Sequence, residues 1–166
     1  DQVSGVSEKL TRWLIPMIML LTCCVVVLRY LFGIGSIALQ ESIVYLHATV
    51  FMLGIAATLR AGQHVRVDIL YSKRTPRQKA IIDVAGTVCL LLPVSGFILY
   101  TSFSFVHFSW SLMETSAEPG GLPIVFVLKT LIPVMAALLI LQGTSEALRA
   151  IRLIVLNPDR PPEAGA

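Results

Sequence analysis

Four long, mainly apolar stretches divide this chain, each parted from the next by a short polar connection. Crossing the hydrocarbon of a bilayer takes about 20 apolar residues in a helix. The first stretch, residues 10–32, has that length, with Trp13 and Tyr30 placed as interfacial anchors near its ends. The second covers 37–59. The third covers 80–110, and its helix is expected to open earlier, with Thr75 as N-cap and Pro76 as the first helical residue. The fourth covers 123–156, where "NPDRPPEAGA" ends it in a flexible tail, 157–166. The predicted fold is all-α: one integral membrane domain of four transmembrane helices. The last two helices exceed about 45 Å at 1.5 Å per residue, against roughly 30 Å of hydrocarbon. They are expected to tilt, to kink at Pro93 and Pro133, or to project from the membrane.

Composition agrees. Of the 166 residues, 55% are hydrophobic and 14% charged, with a mean hydropathy of +0.79. A soluble domain carries roughly a quarter charged residues, and one this small has little volume in which to hide so much apolar surface.

The net charge of +3 comes from bases clustered between and after the apolar stretches. From Arg60 to Lys79 there are six bases and one acid, Asp68. From Ser109 to Gly121 there are two acids, Glu114 and Glu118, and no base. Lys9 and Arg12 stand at the start of the first span, and Arg149 and Arg152 close the fourth. The positive-inside rule predicts both ends and the basic connection in the cytoplasm, with the Glu114/Glu118 loop outside. Within that connection, "GQHVRVDILYSKR" alternates apolar and polar residues. It suits a segment lying along the anionic inner leaflet, which makes membrane lipids an expected partner. No basic groove interleaved with aromatics is present, so nucleic acid is not an expected partner. The first span runs into Arg29 and Tyr30 without a small-residue cleavage site, which predicts a retained anchor. The chain opens on Asp1 rather than Met, so a trimmed or incomplete start is expected.

Little in the sequence supports catalysis. There is no phosphate-cradling glycine loop, nucleophile elbow, HExxH or kinase set. Cys23, Cys24 and Cys89 lie in apolar stretches without redox or zinc spacing and read as packing residues. No cofactor is expected. Ionisable groups at membrane depth need a partner or water. Glu41 lies one turn into the second span with Tyr45 on the same face, and Lys129 lies about two turns into the fourth. Three arrangements are open: Glu41 meets Lys129, Glu114 or Glu118 satisfies Lys129, or both groups snorkel.

His47 and His107 allow a second reading, a haem- or quinone-binding anchor of a respiratory complex, although their depths differ. A self-sufficient small channel is a third, for which Glu41, His47 and Lys129 are too few polar groups. Asp83 suits a structural role near Arg77 and Lys79. Small residues such as Ala48, Gly54, Gly86, Ser95 and Gly96 suit close helix packing, including packing against a larger membrane partner.

Four motifs stand in order from Arg29 to Arg149: "RYLFG"; "QESIVYL" leading into "FMLGIAATLRAGQHVRVDILY"; "SWSLMETSAEPGGLP"; and "KTLIPVMAALLILQGTSEALR". Together they resemble the small membrane subunit (Q-type, DctQ-like) of tripartite ATP-independent periplasmic, or TRAP, transporters. The "SAEPGGLP…K…IP…LQG" run is most similar to the branch associated with 2-oxo acids, lactate-like acids and mannitol/chloroaromatic-type systems. One departure is Val44, at a position where the pattern suggests tryptophan.

The resemblance implies a scaffold subunit that transports nothing alone and pairs with a large M-type subunit. That partner would hold the substrate and sodium sites and work as an elevator, supplied with organic acids by a periplasmic binding protein. Glu114, Ser116, Glu118, Gly120 and Gly121 then become expected docking residues for the binding protein. Glu41, Tyr45 and Lys129 become expected intramembrane contacts to scaffold or large subunit. His64, Arg66 and Asp68 become a cytoplasmic interfacial clamp. On this expectation, His64→Ala with Asp68→Ala lowers both the yield of the assembled complex and uptake in cells; unchanged yield and uptake would remove the clamp.

Overall fold

The structure, a computed structural model, describes residues 2–60 and 75–156. His64, Arg66 and Asp68, together with the 157–166 tail, lie outside the described residues. Regular structure within the described residues is helical. Helix α1 spans Gln2–Leu31, α2 Ile37–Arg60, α3 Pro76–Gly86, α4 Leu92–Ser111 and α5 Val125–Leu156. A π-helical turn, Thr87–Leu91, joins α3 to α4 without a break. Four helical stretches are long and apolar enough to span a bilayer: Leu10–Leu31, Ile37–Ile55, Arg77–Ser111 and Val125–Arg152. The expected all-α, four-span class is therefore observed.

The start of α3 follows its sequence signal. Thr75 Oγ1 accepts from Gln78 N, and Gln78 Oε1 accepts from Thr75 N, each at 3.3 Å, with Pro76 opening the helix. This reciprocal capping occupies two of the amides that a helix start leaves unbonded. The π turn has an equally local cause. Pro93 has no N–H, and its ring crowds the carbonyl of Cys89, so the regular ladder cannot run through that point. The chain inserts one wide turn just before it, in which Leu92 N donates to Thr87 O. Pro133 and Pro16 lie inside α5 and α1, and both helices continue past them.

The packing order is not the chain order. α1 packs on α2, α2 on α5, and α5 on α3, the π turn and α4. The fourth span thus stands between the second and the third, and the four make an open row. The interior is narrow and lined with small residues. On α4 the buried positions are Ser95, Ser102 and Ser109, spaced by sevens, and on α5 Ala136 is fully buried. A seven-residue repeat keeps one seam against the neighbouring helix, and small side chains allow close approach where lipid tails offer no hydrophobic drive. Large side chains point away from the row: Trp13 is 77% exposed and Tyr100 82%. The three cysteines are free and lie on these outer faces.

Several hydroxyl groups in the spans are satisfied by their own helices. Thr22 donates to Ile18 O, Ser42 to Ala38 O, Thr49 to Tyr45 O and Thr87 to Asp83 O, at 2.7–2.8 Å. These bonds back to the preceding turn spare those four hydroxyls a bare place in hydrocarbon.

Gly143 marks the closest approach of α5 to the π turn, where an added Cβ would stand 2.5 Å from Leu91 Cδ2 and 3.4 Å from Thr87 Cγ2. A Cβ at Gly96 would meet nothing within 4 Å. Gly143→Leu is therefore expected to cost about 1–3 kcal/mol through overpacking, read as a lower unfolding midpoint in detergent. Gly96→Leu should leave the midpoint in place, and equal midpoints for the two variants would contradict this packing.

Candidate functional site

The end of the row that carries the 112–124 connection joins α2, α4 and α5 through long-range polar contacts. Helix α4 ends there in a double-bonded cap. Met113 N donates to Trp110 O at 3.2 Å, Glu114 N donates to Ser109 O at 3.1 Å, and Met113 takes a left-handed φ of 46°. This arrangement occupies carbonyls that the last turn would otherwise leave bare. The left-handed residue is usually glycine, and a methionine there bears strain of about 1–2 kcal/mol.

The cap aims Glu114 back at the helices. Its Oε2 accepts from Ser109 Oγ at 2.6 Å and from Lys129 Nζ of α5 at 2.5 Å. Lys129 Nζ also lies 4.2 Å from the centre of the Phe105 ring, a cation–π contact from α4. Ser109 is fully buried and Lys129 one-fifth exposed. The Lys129 bond first, and the Ser109 bond second, hold the Glu114 carboxyl below its ordinary value of 4.5. A lowered carboxylate adds stability that is complete above the ordinary value and is lost as pH falls through the lowered one. The Glu114 link is thus whole at neutral pH.

Beyond Glu114 the chain forms a tight loop around a second carboxylate. Glu118–Gly121 is a β-turn closed by Gly121 N donating to Glu118 O at 3.0 Å. Pro119 stands at its second position, and Gly120 at its third has φ 79°, the pattern of a type II turn. Ser116 N donates to Leu122 O at 3.1 Å, and Ser116 Oγ accepts from Glu118 N at 3.1 Å. The loop so folded presents two donors to Glu41 of α2. Leu122 N reaches Oε2 at 2.6 Å, and Ser116 Oγ donates to Oε1. Gly121 packs so tightly here that a Cβ would stand 2.5 Å from Ser116 Oγ, 2.6 Å from Ser116 Cβ and 2.7 Å from Glu41 Oε1. Alongside, Trp110 Nε1 donates to Thr130 Oγ1 at 2.9 Å, and its ring meets Phe126 edge-on with centroids 4.7 Å apart. Helices α2, α4 and α5 are thereby clasped by one loop.

Each expected residue among those described has a definite place. Lys129 pairs with Glu114, one of the two acids expected to satisfy it, while Glu41 bonds the loop instead of Lys129. Tyr45 is half-buried one turn along α2 from Glu41. Of the five docking candidates, Glu114 and Ser116 turn inward and Gly121 is wedged between Ser116 and Glu41, whereas Glu118 and Gly120 are exposed. The loop surface also offers Leu112 and Met113, 61% and 59% exposed. Sequence reasoning missed Ser109, the Leu122 amide and the Trp110–Thr130 bond. The sevenfold spacing of Ser95, Ser102 and Ser109 was the available signal for the first. His47 and His107 stand on α2 and α4, which α5 separates, and both are exposed. No group of three or more His, Cys, Asp or Glu fit to hold a metal occurs among the described residues.

The family described as Tripartite ATP-independent periplasmic transporters, DctQ component, matches residues 18–153, most of the chain. The chain belongs to that family. A search of curated proteins finds no match. As a DctQ component it is a transporter part and not an enzyme, and its place is the inner membrane. The four membrane-length helices accord with that place, and the polar clasp is the most elaborate feature this DctQ chain carries.

Gly121→Ala is expected to push the loop off Glu41 at a cost of about 1–3 kcal/mol, seen as a lowered unfolding midpoint in detergent at neutral pH. A midpoint equal to that of the unsubstituted chain would mean that the loop is not packed as described.

Proposed function

We propose that this chain is the static scaffold of a sodium-driven importer of organic acids, paired with a large elevator-type membrane subunit. A periplasmic binding protein delivers the substrate and docks on the loop end of the row, where Glu118, Gly120, Leu112 and Met113 are exposed. The observation that carries this reading is how the chain spends its charges. Glu41, Glu114 and Lys129 are all engaged in holding the loop. A transport site needs polar groups turned toward a path, and here they are turned toward one another. The row exposes broad apolar faces instead, which suits a part that lies between lipid and a partner. In this arrangement the basic connection faces the cytoplasm and the clasped loop faces the periplasm, in keeping with the charge bias. The organic-acid class and the sodium coupling rest on the family resemblance. The sodium and substrate sites belong to the large subunit.

A tagged chain purified in mild detergent from its native host is expected to bring down a large polytopic protein in about equal amount. Vesicles containing that pair should take up an organic acid only with the binding protein present and a sodium gradient imposed. Recovery of haem or flavoprotein subunits in place of the polytopic protein would overturn the scaffold reading.

A further inference from the structure

The described part of α2 carries one ring nitrogen that its own fold leaves unanswered. His47 lies near the middle of the Ile37–Ile55 span, about 15 Å from its start, close to the centre of roughly 30 Å of hydrocarbon. Its Nδ1 is 3.1 Å from Ile43 O. A carbonyl only accepts, so Nδ1 carries the hydrogen, and in the neutral imidazole Nε2 is left as a bare acceptor. Nothing among the described residues meets Nε2. The ring is exposed, with Phe51 alongside at 6.4 Å between centroids and nearly parallel. Val44, His47 and Phe51 follow one another at helical spacing, so they form a single outward stripe, in which Val44 is 59% and Phe51 72% exposed. Glu41, one turn before Val44, is already occupied by the loop.

We propose that this stripe, centred on His47, is the seam on which the large membrane subunit packs, through a hydrogen-bond donor that meets His47 Nε2 at mid-membrane. The proposal rests on the scaffold reading above and names the face that the partner covers. Lipid tails satisfy apolar side chains at no cost, as for the outward Phe97 and Phe103 on α4, and the exposed His107 stands only four residues, about 6 Å, from the end of α4 and so near the interface. A tail has no donor for an imidazole nitrogen. A protein helix bearing Ser, Thr, Asn or Tyr has one.

The experiment uses the complex purified from cells through the tagged chain. His47→Leu should lower the amount of co-purified large subunit about threefold to tenfold, the effect of losing one interhelical hydrogen bond in a bilayer. His47→Gln should restore most of it, because its amide oxygen reaches about where Nε2 stood. A benzophenone maleimide is then attached to Val44→Cys or Phe51→Cys in a chain whose Cys23, Cys24 and Cys89 are replaced by Ala. Either probe should crosslink to the large subunit on illumination, while the same probe on Phe97→Cys or Tyr100→Cys should not. If His47→Leu fails to accumulate, the two α2 probes decide alone. Crosslinks from α2 only to lipid, or only to a second copy of this chain, would overturn the seam while leaving the scaffold reading intact. If the unsubstituted chain brings down no large subunit, both readings fall.

Discussion

A carboxylate near the end of a membrane span must be answered by protein donors or by water, and Glu41 is answered by protein. Its partners are not on its own helix. They are a hydroxyl and a backbone amide of a loop that leaves α4 and enters α5, 75 and 81 residues further along the chain. Meeting that one requirement draws the loop onto α2 and so ties the second span to the third and fourth. The turn chemistry of "EPGG" serves the same end, because only a tight turn with a left-handed glycine brings Ser116 and Leu122 to face one carboxylate. The Glu114–Lys129 pair does on the α4–α5 side what Glu41 does on the α2 side.

Away from this end small residues let the described spans lie close together. Hydroxyls fold back on the preceding turn, and serine, alanine and glycine line the seams. Near the other end of α5, buried Gln142 donates to Glu146 at 3.0 Å, which in turn lies 3.6 Å from Arg149. The result is a row whose polar groups are used to fix its own shape. Its described exterior is broadly apolar, and Glu41, Glu114 and Lys129 are engaged within the row.

Much of this was legible in the sequence, for physical reasons that differ from place to place. Helix number follows directly from bilayer thickness, and the start at Thr75–Pro76 follows from a capping pattern that acts within four residues. The Lys129–Glu114 pair was one of three open arrangements, because depth can be counted along a span while azimuth cannot. Glu41 was expected to meet a cation or to snorkel. It met a backbone amide, a donor that no residue letter reveals. A kink at Pro93 or Pro133 was one of three expectations for the long helices; the chain accommodates Pro93 with a π turn, whereas α5 runs on through Pro133. The order of packing was out of reach, since hydropathy carries no record of which apolar face meets which. The serine seam on α4 was visible as a spacing of seven, yet a search for glycine motifs passes over it.

The placement of α5 between α2 and α4 has a consequence for biogenesis. Ribosomes release the spans in chain order, so the first two can pair as they emerge, while α3–α4 enters the membrane with its intended neighbour still unmade. Until the last span arrives, the serine seam of α4 and the inner face of α2 have only lipid or an insertion factor to lie against. Helix α5 then acts as a keystone, and it carries Lys129 with it, so the clasp closes only after α5 is in place. Arrival of α5 thus turns two unmatched halves, α1–α2 and α3–α4, into one row.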